Sequence, residues 1–334
     1  MKKRLALAIN PLVLLLESFI LCGKNATYKC ELIAARIIET AVQGLSLESL
    51  YQLTKCLSAD RVLEKVHSFS EEKIKSLILQ GTNKLQLPKR IIATLDFTEK
   101  EYYGNKNHKQ IIGSKGGKYV QRFIELSIVK PALFVNALMV DQFTNNKVKL
   151  VSQLIDGFNA LYKKTEIELL LLDRGFFTKA AVKLFTEKGI KFIMPAVKNR
   201  EINYLVEACV NIKKNVIIDY QFGNTKVFLV FVRVNNEVLV YMTNAKFNPL
   251  KVHLVYKKRW QIETNFREQN QFLLKTTTRN FEARYLAFAI AGLLFNAWQL
   301  QRLKGGIVRG YVFRKEIEHA LGFCWVPFIN QERG

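Results

Sequence analysis

Two stretches decide the fold: RIIATLDFT at Arg90–Thr98 and EIELLLLDRGF at Glu166–Phe176. Each is an apolar run that ends in an aspartate, Asp96 in the first and Asp173 in the second. A short apolar run bounded by polar residues reads as a buried strand, and the unbroken second run suits a strand covered on both faces. Both carboxylates therefore stand where a strand leaves a dry core and meets solvent. Taken singly, an Asp in that place is most often a turn or helix cap.

Outward from these runs, YVQRFIELSIV (Tyr119–Val129) and LFVNALMV (Leu133–Val140) read as two more strands, broken apart by Lys130-Pro131. An amphipathic helix is predicted over Val148–Lys164, with Val151, Leu154, Ile155, Phe158 and Leu161 on one face. A helix over Thr178–Lys188, a turn at Gly189 and a strand over Lys191–Met194 complete a β-β-β-α-β-α-β order. That succession is the ribonuclease-H-like plan, a mixed sheet of three antiparallel strands extended by parallel ones with helices on its faces, an α/β (α+β) class. VIIDYQF, KVFLVFVRV and EVLVYM, with turns at Gly223-Asn224 and Asn235-Asn236, predict an antiparallel β insertion at about 215–245, ahead of a helix near Pro249.

Before Pro88 the spacing is helical, with Leu32, Ile33, Ile37 and Ile38, then Leu47, Leu50, Tyr51 and Leu53, then Val62, Leu63 and Val66. Ser46 with Ser49, and Ser58, mark helix starts. Short helices on a basic chain fit either a helix-turn-helix that reads DNA or a bundle that only packs. The expected organisation is a helical N-terminal region at 1–87, a split catalytic domain at 88–302 and a C-terminal tail at 303–334.

The chain carries 51 Lys+Arg against 28 Asp+Glu, a formal charge of +23. A polyanionic partner follows, although membrane-surface and ribosomal proteins are equally basic. Five cysteines form no C-x-x-C pair and there are four histidines, so no zinc spacing is present and reduced cytoplasmic thiols are expected. The basic start and the apolar run from Leu5 to Leu21 look like a secretory signal, but Pro11, Glu17 and the large Leu21 argue against export. Tyr285–Leu300 contains Asn296 and Gln299 and reads as a buried core helix rather than a membrane span.

A third acid, Glu263, lies in YKKRWQIETNFR (Tyr256–Arg267). Spacing of three and four places Tyr256, Arg259, Glu263 and Phe266/Arg267 on one helix face, with Trp260 off that face and expected in the core. Arg259 and Glu263 one turn apart are either an exposed ion pair of about 0.3–0.5 kcal/mol or, with Arg259 turned to DNA, a phosphate clamp beside a metal site. Phosphodiester cleavage by two metals needs carboxylates that converge from different elements, and Mg²⁺ favours such oxygen ligands.

Together these blocks resemble the insertion-sequence transposases that carry a DDE triad and a Y-x2-R-x3-E-x6-K signature. Asp96-Phe97-Thr98 matches the D-x-T block, Asp173-Arg174-Gly175-Phe176 the D-R-G-[FY] block, and Tyr256, Arg259 and Glu263 the signature, in family order over roughly Arg90–Arg302. The resemblance implies that Asp96, Asp173 and Glu263 are catalytic and hold two Mg²⁺ or Mn²⁺ ions. It further implies DNA contacts by Tyr256, Arg259, Arg267, Arg174 and position 270, with Thr98 orienting Asp96 by a hydrogen bond and Gly175 permitting a tight turn. The implied activity is cleavage of transposon ends and joining of the 3′-hydroxyl to target DNA. The partner is double-stranded DNA, bound by a homodimer on paired ends, in the cytoplasm at the nucleoid and with no membrane. Position 270, where the signature has Lys, is Asn270, which supplies no charge; Lys275 lies off the face that would replace it. Aromatics of the insertion (Phe222, Phe228, Phe231, Tyr241) are either base-stacking groups or core. Two rivals stand beside this reading: a nuclease of the same fold that cuts without joining, and a cleavage-dead relative kept as a DNA-binding protein.

Overall fold

The computed structural model describes residues 2–23, 26–113, 116–142, 147–212, 214–235, 237–305 and 309–331. Its sheet is built around the two aspartate strands. Strand β1 (Arg90–Glu101) lies between β3 (Tyr119–Ile128), to which it is antiparallel, and β5 (Glu166–Leu172), to which it is parallel. On the far side of β3 lie the short β2 (Ile111–Gly113) and β4 (Leu133–Val140). Beyond β5 comes β6 (Phe192–Pro195), parallel to it.

The expected insertion is not a separate sheet. Strands β7 (Val216–Phe222), β8 (Thr225–Val234) and β9 (Glu237–Thr243) form an antiparallel meander whose last member pairs with β6. The described residues thus make one nine-stranded sheet, ordered β2-β3-β1-β5-β6-β9-β8-β7 with β4 also on β3. Mixed pairing with helices on the faces agrees with the expected α/β class.

Strand alternation assigns the two faces different work. Ala93 and Leu95 of β1, Leu126 of β3 and Leu170 and Leu172 of β5 point into one apolar core. Helices α6 (Lys147–Leu161), α7 (Lys179–Glu187) and α8 (Arg200–Ile212) cover it. The other face is covered in two parts. Over β5, β6, β8 and β9 lies α9 (Pro249–Tyr256), packed on Leu169, Leu171, Ile193 and Val230. Over β3 and β4 lies the long buried α11 (Phe281–Gly305), as expected for the apolar stretch that contains it. Asn296 on α11 bonds both backbone groups of Phe134, its amide oxygen accepting from the N–H at 2.8 Å and its amide nitrogen donating to the carbonyl at 2.7 Å. This polar residue is therefore satisfied inside the core.

Of the N-terminal helices, α1 (Lys2–Glu17), α2 (Cys30–Gln43), α4 (Ala59–His67) and α5 (Glu71–Thr82) stand against α11, while α3 (Leu47–Thr54) packs on α2 and α4. Ile37, Ile38, Val62, Leu77 and Ile78 share one core with Leu286, Leu294 and Phe313, the last from α12 (Gly310–Gln331). Ser46 accepts from the Ser49 N–H as the cap of α3. Cys22 and Cys30 are joined as a disulfide, which corrects the expectation of five reduced thiols. Among the described residues no helix is long and apolar enough to cross a membrane.

Candidate active site

Parity places the acids. On β1, residues 92, 94, 96, 98 and 100 face away from the dry core, and on β5 residues 169 and 171 do the same, with Asp173 directly after the strand. Leu95 is level with Leu172 in the parallel pair, so Asp96 and Asp173 emerge side by side on the face bearing α9. The chain from α9 passes through a 3₁₀ turn, Lys257–Arg259, into α10 (Trp260–Gln269), and this passage carries Arg259 and Glu263 over the strand ends.

Arg259 is the centre of the arrangement. Its guanidinium donates to Asp96 Oδ2 at 3.0 Å and to Glu263 Oε1 at 2.9 Å. The Asp96 partner is 14% exposed and the Glu263 partner 62%. Glu263 thus stands at the open end of the pair, with Arg259 only 13% exposed. Asp96 also accepts from the Phe97 N–H at 2.8 Å. Burial, then the neighbouring Asp173, pushes the Asp96 carboxyl up to about 6, against the pull of Arg259. Among the described residues no three acidic, histidine or cysteine side chains converge tightly enough to hold a metal ion. Glu263 is turned to Arg259 instead.

Asp173 accepts from the Gly175 N–H at 2.8 Å and caps the 3₁₀ turn Arg174–Phe176. A Cβ on Gly175 would stand 3.0 Å from Asp173 Oδ1, which explains a glycine here. Arg174 is exposed at the rim of this turn. Tyr256 is buried, and its hydroxyl donates to the Leu172 carbonyl at 3.1 Å, just before Asp173. That contact sets the Tyr256 hydroxyl against the end of β5. The expected hydrogen bond from Thr98 to Asp96 is absent among the described residues, where Asp96 is held by Phe97 and Arg259. Trp260 is corrected outright: it is 67% exposed, beside the exposed Lys257 and Lys258, and not in the core. Arg267, one turn after Glu263 on α10, is exposed.

Three participants escaped the sequence reading. Glu125 of β3 stands opposite Asp96 in the antiparallel register, fully buried, and accepts from Ser127 and from Gln269 Nε2, the latter at 2.9 Å. Burial pushes its carboxyl up to about 7. Lys100, four residues past Asp96 on the same strand face, donates to Asn270 Oδ1. Arg284 of α11 donates to Gln121 Oε1 at 3.1 Å, and Gln121 is the cross-strand partner of Lys100. Alternation along β1 and β3 was the available signal. The insertion aromatics divide differently: Phe231 and Tyr241 are buried, with the Tyr241 hydroxyl 2.8 Å from His253 Nδ1, while Phe222 and Phe228 are partly buried.

The transposase DDE domain family matches residues 92–296, more than half of the chain. The chain belongs to that family. A piggyBac transposase, solved by electron cryomicroscopy as a synaptic complex with hairpin DNA, superposes with a TM-score of 0.64 at 14% identity. The match covers 95% of this chain and 80% of that one, and it shows a shared transposase fold. A search of curated proteins gave no match. Family and fold together make this a DNA transposase by descent and architecture.

Proposed function

We propose that this transposase cuts DNA at the ends of its element and joins the freed 3′-hydroxyl to target DNA, using Asp96, Asp173 and Glu263 as the ligands of two divalent cations. The observation that carries the reading is the one arginine shared by Asp96, 163 residues before it, and Glu263, four residues after it. Carboxylates from β1, β5 and α10 offer a set of oxygen donors suited to Mg²⁺ or Mn²⁺. Burial and the neighbouring Asp173 raise the Asp96 carboxyl, and Arg259 supplies a cation that offsets them. When bound, the metals activate the attacking oxygen and stabilise the leaving one.

The chain's own residues do the rest. Phe97 and Gly175 N–H groups orient Asp96 and Asp173, and Tyr256 fixes the end of β5 from below. Arg259, once its carboxylates turn to the cations, is placed to clamp a phosphate of the bound strand. Exposed Arg174, Arg267, Lys257 and Lys258 ring the site as backbone contacts, and exposed Trp260 offers a stacking surface for an unpaired base. Paired ends call for a homodimer, and residues 1–87 are the proposed end-recognition region.

The test is Mg²⁺-dependent cleavage and strand transfer on duplexes carrying the element's terminal repeats, with wild type and Glu263→Gln compared. Wild type is expected to yield joined products. Glu263→Gln, altering an exposed side chain, is expected to bind DNA and melt like wild type while losing more than about 100-fold in rate, since even metal-supporting outer residues cost 10–100-fold. Cut but unjoined DNA from wild type would favour the nuclease alternative, and binding without cleavage the inactive one.

A further inference from the structure

Beyond the acids, the same side of the molecule holds two cations, Lys100 of β1 and Arg284 of α11, that form no ion pair among the described residues. Lys100 and Arg284 are both half-buried, and among the described residues neither has a carboxylate oxygen within ion-pair distance. Lys100 is held by the amide oxygen of Asn270. Arg284 is held by Gln121 Oε1 and by the Glu101 carbonyl, and lies 5.4 Å from the centre of the Tyr102 ring. Gln121 is fully buried, donates to the Phe281 carbonyl at 3.1 Å, and faces Lys100 across the strand pair. Two like charges are thus fixed next to each other by neutral amides. Burial holds both below their ordinary proton affinity, against the pull of Glu125 on Lys100 and of Tyr102 and Tyr103 on Arg284, and Arg284 pushes Lys100 down further. Such a pair costs stability unless an anion completes it. Glu125 attracts Lys100 but is fully buried, bonded to Ser127 and Gln269, and forms no ion pair with it.

We infer that Lys100 and Arg284, positioned by Asn270 and Gln121, form a binding site for a backbone phosphate of the cut DNA strand. The site rests on the transposase reading above and extends it to the substrate a few nucleotides from the scissile bond. Four residues of strand separate Lys100 from Asp96, about 13 Å at roughly 3.3 Å per residue. That reach corresponds to some three to four nucleotides at about 3.4 Å per step along one strand. The charge missing at Asn270 is supplied from β1, with Asn270 serving as the acceptor that aims it.

The experiment is fluorescence anisotropy of labelled duplex DNA over a range of salt, with wild type, Lys100→Gln, Arg284→Gln and the exchange variant Lys100→Asn/Asn270→Lys. Each lost phosphate contact makes the plot of log affinity against log salt shallower by about 0.9. Lys100→Gln is expected to show that change, and so to lose about 3.5-fold less affinity than wild type between 50 and 200 mM salt. The exchange variant is expected to recover the wild-type slope, because it returns one ammonium to the same pair of positions. Arg284→Gln removes backbone-anchoring bonds as well as charge, so the outcome is decided by Lys100→Gln and the exchange, each checked for a wild-type melting curve. A wild-type slope in Lys100→Gln overturns the site, as does an exchange variant as shallow as Lys100→Gln. Failure of wild type itself to bind DNA at any salt would instead strike the transposase reading beneath it.

Discussion

The two faces of one sheet make opposite use of the same strands. Toward α6, α7 and α8, β1, β3 and β5 present Leu95, Leu126, Leu170 and Leu172, all fully buried. Toward α9, α10 and α11 they present Asp96, Glu125, Ser127 and Asp173. One face stabilises the fold by burial, and the other gives up part of that stability to hold charges in a partly dry place, where electrostatic interactions are strong. The contrast explains why both catalytic candidates on the sheet follow apolar runs: the dry face keeps the strand ends rigid while parity turns the acids the other way.

The largest expected effect comes from breaking the dry face. Leu170→Ala removes a fully buried side chain and is expected to cost about 2–5 kcal/mol of unfolding free energy, read by urea denaturation, with the DNA affinity of the folded fraction unchanged. A parallel loss of DNA affinity by the folded fraction would mean that the faces are not separable. Next in size is the buried acid of the polar face. The Glu125 carboxyl, raised to about 7, favours its neutral form in the folded protein. Its contribution to stability is therefore complete below the ordinary carboxylate range and is lost as pH rises through about 7. Glu125→Gln is expected to flatten that part of the stability–pH curve, roughly a few kcal/mol in depth, and an unchanged curve would show that Glu125 is charged throughout. Smallest is Tyr256→Phe, which deletes the hydroxyl under Leu172; about 0.5–1.5 kcal/mol of stability is expected to go, together with a drop in turnover. Stability lost with turnover intact would confine Tyr256 to packing.

How far the sequence reached follows the same division. The dry face was legible because apolar runs and alternation are local signals, and the bounds of β4 and β5 agree with their runs. Helix α8 carries the same kind of signal in Ile202, Leu205, Val206 and Cys209, yet it is missing from the expected order of elements. The joining of the insertion to the core sheet was not legible, since the β6–β9 pairing links segments that periodicity treats separately. Trp260 was misplaced because the buried side of α10 carries Ile262, Asn265 and Gln269, and Trp260, two residues before Ile262, falls on nearly the opposite side of the helix. Lys100 was missed because β1 continues to Glu101, past the expected end at Thr98. Of the candidate site, the sequence could nominate Asp96, Asp173, Arg259 and Glu263, but it could not show that one guanidinium bonds both Asp96 and Glu263.

The most direct test of the central claim, that these carboxylates are cation ligands for phosphodiester chemistry, is a metal switch with Asp96→Cys. A thiolate is a poor ligand for Mg²⁺ and a better one for softer ions. Cleavage by Asp96→Cys is expected to be lost in Mg²⁺ and partly restored in Mn²⁺, beyond any gain that wild type shows from the same exchange. Wild-type cleavage by Asp96→Cys in Mg²⁺ would contradict the account and leave Asp96 as only a partner of Arg259.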